Sequence, residues 1–176
     1  MNNEINAARD VVKTDALRVH TMKSRDLGVL GYADGDGSVV FYRQPTPLHT
    51  VDSEFDVSRM QDLPLVDIVQ AYAGADGRLI RALVDGGAKG IVAALLGSGH
   101  APSAFTSALD DAVRSGVKVM VTTQAANGRL LLKQRFIDGG YIAADNLTAK
   151  KARVLLMLAL AHTGDANEIQ RMATTY

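Results

Sequence analysis

From about Leu65 onward, short apolar runs (VDIVQAY, GIVAALL, VKVMVTT and GYIAAD) alternate with stretches of helical periodicity. Few folds accommodate such a pattern. Valine and isoleucine crowd the runs without strict polar alternation, which predicts strands buried on both faces, and strands of that kind belong to repeated βα units forming a parallel sheet. The expected fold class is therefore α/β.

The intervening stretches carry helix-end signals. Asp76 is placed to accept a hydrogen bond from the first turn of GRLIRALVD, with Leu79, Ile80, Leu83 and Val84 on one face and Gly86 as the left-handed stop. Pro102 opens the next helix and Gly116 closes it, with Phe105, Leu109, Ala112 and Val113 toward the sheet. Thr148 is the expected N-cap of a long helix through Ala161, and Asp165 with Glu168 reads as a capping box for a last short helix.

The first sixty or so residues differ in kind. GVLGYADGDGSVVFYRQ is two apolar runs around a DGDG turn, a β-hairpin signal. TDALRVHTMKS and PTPLHTVDSEFDVSRMQDLP on either side read as extended connecting segments, ending at a linker near Asp62 to Pro64. The expected division is thus residues 1–61, a hairpin with extended arms, and 62–176, the βα domain. A hairpin with long arms cannot bury itself, so Leu30, Val39 and Phe41 are expected to stay uncovered and to promote association.

Composition narrows the function classes. Lys plus Arg and Asp plus Glu are 19 each, so the chain has no net charge with which to attract nucleic acid or an anionic membrane. Cysteine is absent, which removes disulfides and thiolate chemistry. His20, His49, His100 and His162 lie far apart, and none has the i, i+4 spacing that pairs two imidazoles on a helix, so no metal site is expected. The apolar stretch from Val154 to Ala161 is too short to span a bilayer. MNNEINAARDVVKTD has neither signal-peptide nor transit-peptide character, which makes the cytoplasm the expected location. The periplasm is the alternative if a signal-bearing N-terminus precedes this sequence.

The loops following the strands hold the candidate site residues. AYAGADG contributes Gly74 and Asp76 at the carboxyl edge, where open parallel sheets bind ligands, and Asp76 reads as a helix cap before it reads as a substrate contact. LGSGHAPS, with Gly97 and Gly99, reads first as a structural turn and second as an anion-binding amide cluster. TTQAANGRLLLKQRF places Thr122, Thr123, Gln124, Asn127 and Arg129 near the same edge. No histidine, lysine or carboxylate close in sequence is placed to activate the threonine pair, and no GxSxG elbow surrounds Ser98.

The order and spacing of these blocks resemble the bacterial L-asparaginase/glutaminase family over essentially the whole chain. INAARDVVKTDALRVHTMKS, LGYADGDGSVVFYRQ and HTVDSEFDVS resemble the end of that family's N-terminal domain. VDIVQAYAGADGRLIRALVDGGAKGIV, ADNLTAKKARVLLMLALAHT and EIQRM resemble its smaller C-terminal domain. The resemblance implies hydrolysis of L-asparagine or L-glutamine to the acid and ammonia, by acylation of an N-terminal threonine and with no cofactor. The family's GGTIA-like and GTDT-like threonine motifs are absent from this sequence, so no residue here is assigned as catalytic, and Met1 to Glu4 resemble an internal stretch of the parent. The family's pockets are completed by a neighbouring subunit's C-terminal domain, which implies a homo-oligomer or a complementing N-terminal part. Gly74 stands where the family's substrate-contacting asparagine or serine is expected, and NGRLLLKQRFID offers Lys133 and Arg135 where a glutamate is sought.

Substrate contacts are therefore expected at Gly74, Asp76, Thr122 and Asn127. Two alternatives stand beside incomplete asparaginase activity. One is a non-catalytic amino-acid-binding or oligomerisation module. The other is a short-chain amidohydrolase with a site rebuilt from Asp76, Thr122, Thr123 and Lys133.

Overall fold

In a computed structural model describing residues 2–60 and 62–176, the Arg59 side chain apart, the apolar runs form a four-stranded parallel sheet in the order β6-β7-β8-β9. These strands are Val66–Gln70, Gly90–Leu95, Lys118–Thr123 and Ile142–Ala143. Met1 and Gln61, where the expected internal start and the expected domain boundary fall, lie outside the described residues. The contacts divide the chain into two units, Met1–Leu48 and His49–Tyr176, so the break lies upstream of the boundary expected at 61/62. Among the described residues no helix is long and apolar enough to cross a membrane.

The first unit holds more strand than a hairpin. β4 (Gly31–Ala33) and β5 (Val39–Phe41) are the expected antiparallel pair, and β1 (Glu4–Ile5) adds to β4 on its other side. Between β4 and β5 the Asp36 carboxylate accepts from the Ser38 hydroxyl at 2.7 Å and its N–H at 2.9 Å, which lowers the carboxyl's pKa. A second pair, β2 (Val11–Lys13) with β3 (Met22–Ser24), lies in the segments expected to be merely extended. These strands are three residues long, too short for periodicity to betray them. Val39 and Phe41 are well exposed, as expected, whereas Leu30 is half-buried.

In the second unit the strands alternate their side chains between two cores, as a period of two requires. Ile91, Ala93, Val119 and Val121 face one core with Ile80 of α1 (Arg78–Asp85), Phe105 and Leu109 of α2 (Ser103–Arg114) and Phe136 of α3 (Gln134–Asp138). Val92, Met120 and Ile142 face the other with Leu155 and Leu156 of α4 (Ala149–His162) and Ile169 and Met172 of α5 (Ala166–Thr175). The result is a helix-sheet-helix sandwich. Gly90 sits where α4 crosses closest, since a Cβ there would stand 2.9 Å from both Leu156 and Leu160. β6 lies at the sheet edge, so burial on both faces fails there and Ile68 is 38% exposed. At the opposite edge the Gln170 side chain hydrogen-bonds the N–H and C=O of Ala143, at 2.7 and 3.2 Å, and so covers polar groups of the last strand.

Several helix ends differ from expectation. In α1 the left-handed residue is Gly87, with φ 85°, because Gly86 still has helical geometry, and Leu79 points to solvent at 62% exposure. Thr148 occupies the cap position of α4 without a side-chain bond. The Asp165 carboxylate does cap α5 by accepting from Asn167 N–H, but Asp165 N–H donates to Thr163 Oγ1 and Glu168 pairs with Arg171. The reciprocal half of the capping box is therefore not made.

Residues 49–60 contact the C-terminal helices. Glu54 N–H donates to the Tyr176 hydroxyl at 2.9 Å, Phe55 packs on the Tyr176 ring, and Arg171 donates to the Glu54 carboxylate at 2.7 Å. The Arg171 hydrogen bond is the main cause holding the Glu54 carboxyl below its usual pKa. A carboxyl depressed in the folded state contributes stability above its unfolded pKa and loses it as pH falls through the folded one. Acid titration monitored by thermal melting should therefore show a fall in Tm below about pH 4.3, smaller in Glu54→Gln than in the parent.

Candidate functional site

Parallel strands deliver their following loops to one edge, and here residues 71–77, 96–102, 124–133 and 144–148 gather at the carboxyl ends of β6 to β9. The side chain that ties these loops together is Gln124. Its amide nitrogen donates to the carbonyls of Ala71 at 2.5 Å and Ala94 at 2.8 Å, and its oxygen accepts from Gln70 Nε2 at 2.9 Å. One amide thus joins the ends of β6, β7 and β8. Two carbonyl acceptors require the NH2 to point at them, which fixes the orientation of the amide.

The four expected substrate contacts are placed differently from one another. Gly74 sits at the turn after β6 with φ 79° and open space where a Cβ would project. Asp76 lies in the same loop, where its carboxylate accepts from Arg78 N–H at 3.0 Å and meets the Arg78 guanidinium at 2.8 Å. The backbone bond is the first cause of its lowered pKa. The N-cap position of α1 belongs to Gly77, and Asp76 sits one residue before it, holding the first N–H of the helix. Asn127 is exposed in the loop after β8. Thr122, by contrast, is completely enclosed and its hydroxyl donates to the Leu147 carbonyl at 2.5 Å. Its place is a lock between β8 and the loop before α4, out of reach of any substrate. The Gln70–Gln124 bond brings the roots of the 71–77 and 124–133 loops together.

The rebuilt site does not assemble. Thr122 is sealed, the Thr123 hydroxyl donates to the Gly97 carbonyl at 2.7 Å, and Lys133 Nζ donates to the Ser98 carbonyl at 2.7 Å and lies 3.2 Å from its hydroxyl. A nucleophile needs both access and a base, and neither threonine has both.

The 96–102 loop is a tight turn, and its amides face inward. The N–H groups of Gly99 and His100 both donate to the Leu96 carbonyl, at 3.0 and 2.8 Å, so they offer nothing to an anion. Its carbonyls instead attract cations, with Lys133 on Ser98 and Arg135 on Gly99. Gly99 has φ 104°, and a Cβ there would stand 2.7 Å from the Phe136 ring. Gly99→Ala is expected to cost about 1–3 kcal/mol through combined backbone strain and overpacking, measurable as a lower urea midpoint.

Sequence reasoning placed Gln124 near this edge without its tying role, and did not single out Gln70 or Asp145. Gln70 ends β6 and Gln124 directly follows β8, so VDIVQ and VTTQ each carry an amide at a strand's carboxyl end. Asp145, with φ 52° and an ion pair to Arg129, carried no comparable signal. Among the described residues no three His, Asp or Glu side chains gather as metal ligands do.

The match to known proteins rests on this same region. The profile of the Glutaminase/Asparaginase C-terminal domain covers residues 65–172, from the strand before the first edge loop to the last helix. The chain belongs to this family. It is 38% identical over its whole length to L-asparaginase 2 of Bacillus subtilis (strain 168), covering 46% of that protein. It is 36% identical over 97% of its length to the probable periplasmic L-asparaginase of Haemophilus influenzae, covering 49%. Identity to the glutaminase-asparaginase of Pseudomonas fluorescens biotype A is 35% over the whole chain, again covering 49%. The chain spans about half the length of these relatives. Family membership bears out the resemblance to asparaginases, and the parallel sheet bears out the fold class. The asparaginase-family domain is thus formed around an edge where the Thr122 and Thr123 hydroxyls are committed to backbone carbonyls.

Proposed function

We propose that this chain takes part in hydrolysis of L-asparagine or L-glutamine to the acid and ammonia by providing a wall of the substrate pocket rather than its nucleophile. The observation carrying this is the engagement of Thr122 and Thr123 with the Leu147 and Gly97 carbonyls at an otherwise well-formed carboxyl edge. Amide hydrolysis through a covalent step needs a nucleophile to attack the carbonyl carbon, ammonia to leave, and water to cleave the acyl-enzyme. The names of the relatives supply the substrate class. In this reading Gly74, Asp76 and Asn127 border the bound amino acid, Thr122 and Gln124 hold the loops in place, and the nucleophile comes from a part of the protein outside this sequence. The Haemophilus relative's name makes the periplasm the alternative to the cytoplasm as its location.

Complementation tests the proposal. Mixed with a separately produced N-terminal part of the Bacillus relative, the chain should raise ammonia release from L-asparagine well above that of either part alone. Physical association without any gain in ammonia would favour the assembly-module reading, and no association would defeat both. Exposed Val39, Phe41 and Tyr42 support a further expectation of self-association. Sedimentation at micromolar concentration should give a mass above the 18.7 kDa of one chain.

A further inference from the structure

On the α2 side of the sheet, a half-open cleft of about 590 Å³ lies between α2, α3 and the end of β7. That volume falls in the range of roughly 300–1,000 Å³ common for small-molecule sites. Its floor is apolar, with Leu109 and Phe136 almost fully buried. Four charged side chains line it, Asp110, Arg114, Arg135 and Asp138. Arg114 pairs with Asp111 and Asp138 accepts from Gln134 Nε2, while Arg135 and Asp110 are each anchored by a neutral neighbour. The Arg135 guanidinium donates to the Gly99 carbonyl and lies over the Phe136 ring, 4.7 Å from its centroid. The Asp110 carboxylate accepts from the Tyr141 hydroxyl. Among the described residues neither Asp110 nor Arg135 takes part in an ion pair.

An ordinary surface resolves such charges by pairing them with each other or with neighbours. Here each keeps hydrogen-bonding capacity: a planar guanidinium has five N–H donors, and a carboxylate accepts several bonds. Holding both groups in place before a ligand arrives lowers the ordering cost of binding. Burial and the Asp110 bond both raise the pKa of Tyr141, which keeps its proton and remains a donor to Asp110 at neutral pH. We propose that this cleft is a binding site for a free α-amino acid with an apolar side chain, its carboxylate on Arg135, its ammonium on Asp110 and its side chain on the Leu109 and Phe136 floor. The site is separate from the threonines and loop residues of the amidohydrolase reading and does not depend on it.

The test is an NMR titration of the isotopically labelled full chain with L-leucine, 4-methylpentanoate and 3-methylbutylamine. The last two are leucine without its ammonium and without its carboxylate. L-Leucine should shift the Val113, Gly99 and Gly140 amides saturably, and each singly charged analogue should bind at least ~10-fold more weakly, about 1.4 kcal/mol. Asp110→Asn, which still accepts from Tyr141, should weaken leucine by a similar factor, while Arg78→Ala at the carboxyl edge should leave it unchanged. No saturable shift with leucine would overturn the proposal, as would equal binding of the two analogues and leucine. The analogue comparison uses the unaltered chain, so it decides even if Asp110→Asn fails to fold.

Discussion

Leu156→Ala is expected to lower the unfolding free energy by about 2–5 kcal/mol, the range for emptying a well-packed core position. Leu156 is fully buried on α4, and the helix packs so closely there that a Cβ on Gly90 would stand 2.9 Å from its methyl. The surrounding Met120, Ile142 and Met172 belong to the same core and are held by sheet and helix, so the cavity cannot close easily. Domains of this size are stable by only about 5–15 kcal/mol, and the loss should lower Tm by several degrees or more. Val154→Ala, two residues away but half exposed, should change stability by less than about 0.5 kcal/mol. Urea denaturation of the pair checks the packing directly. Equal midpoints for the two variants would mean that α4 does not lie on the sheet as described.

The second large effect concerns Gln124. Gln124→Ala removes the side-chain donor to the Ala71 and Ala94 carbonyls. Ala94 keeps the Ala71 N–H as a donor, but the Ala71 carbonyl is left without this partner, and losing a partner at a partly buried carbonyl costs about 1–3 kcal/mol. Gln124→Glu is the sharper variant. It keeps the shape and the acceptor for Gln70 but turns carboxylate oxygens toward two carbonyls, so it should destabilise at least as much as alanine. Because this side chain joins three strand ends, the loss should appear locally as well. Hydrogen exchange in residues 71–77 and 124–133 should accelerate more than in α4, and uniform protection across the chain would contradict the role of Gln124 as a clasp.

How much of this was legible in the sequence depends on the range over which each feature is encoded. Strands β6 to β8 and helix α2 were readable because their signals are local: valine-rich runs, Pro102 before the helix and Gly116 after it. Errors arose where two adjacent residues compete for one role. Gly86 and Gly87 are both glycines, and only the backbone path decides which one turns left-handed. Leu79 fits the apolar face of α1 by spacing, yet the helix presents Ile80 to the core. The candidate site was the least legible part. Whether Thr122 opens to solvent or bonds Leu147 depends on how β8 sits in the sheet and on a loop 25 residues away. The Gln124 clasp reaches Ala71 across 53 residues, and the strand-end amides visible in VDIVQ and VTTQ do not say which carbonyls they reach. Asp76 was readable as an acceptor for the first turn of α1, though not as its N-cap, because the N–H it accepts from is only two residues on.

These placements converge on one claim: the carboxyl edge of this asparaginase-family domain is shaped by threonines and a glutamine that act as structural ties, with no nucleophile among them. The most direct test is ammonia release from L-asparagine by the purified chain, compared with its Thr122→Val/Thr123→Val variant. Neither protein should exceed the enzyme-free blank, because neither the Thr122 nor the Thr123 hydroxyl is both accessible and activated. Turnover by the chain near the enzyme median of about 10 s⁻¹, abolished in the double variant, would contradict the account.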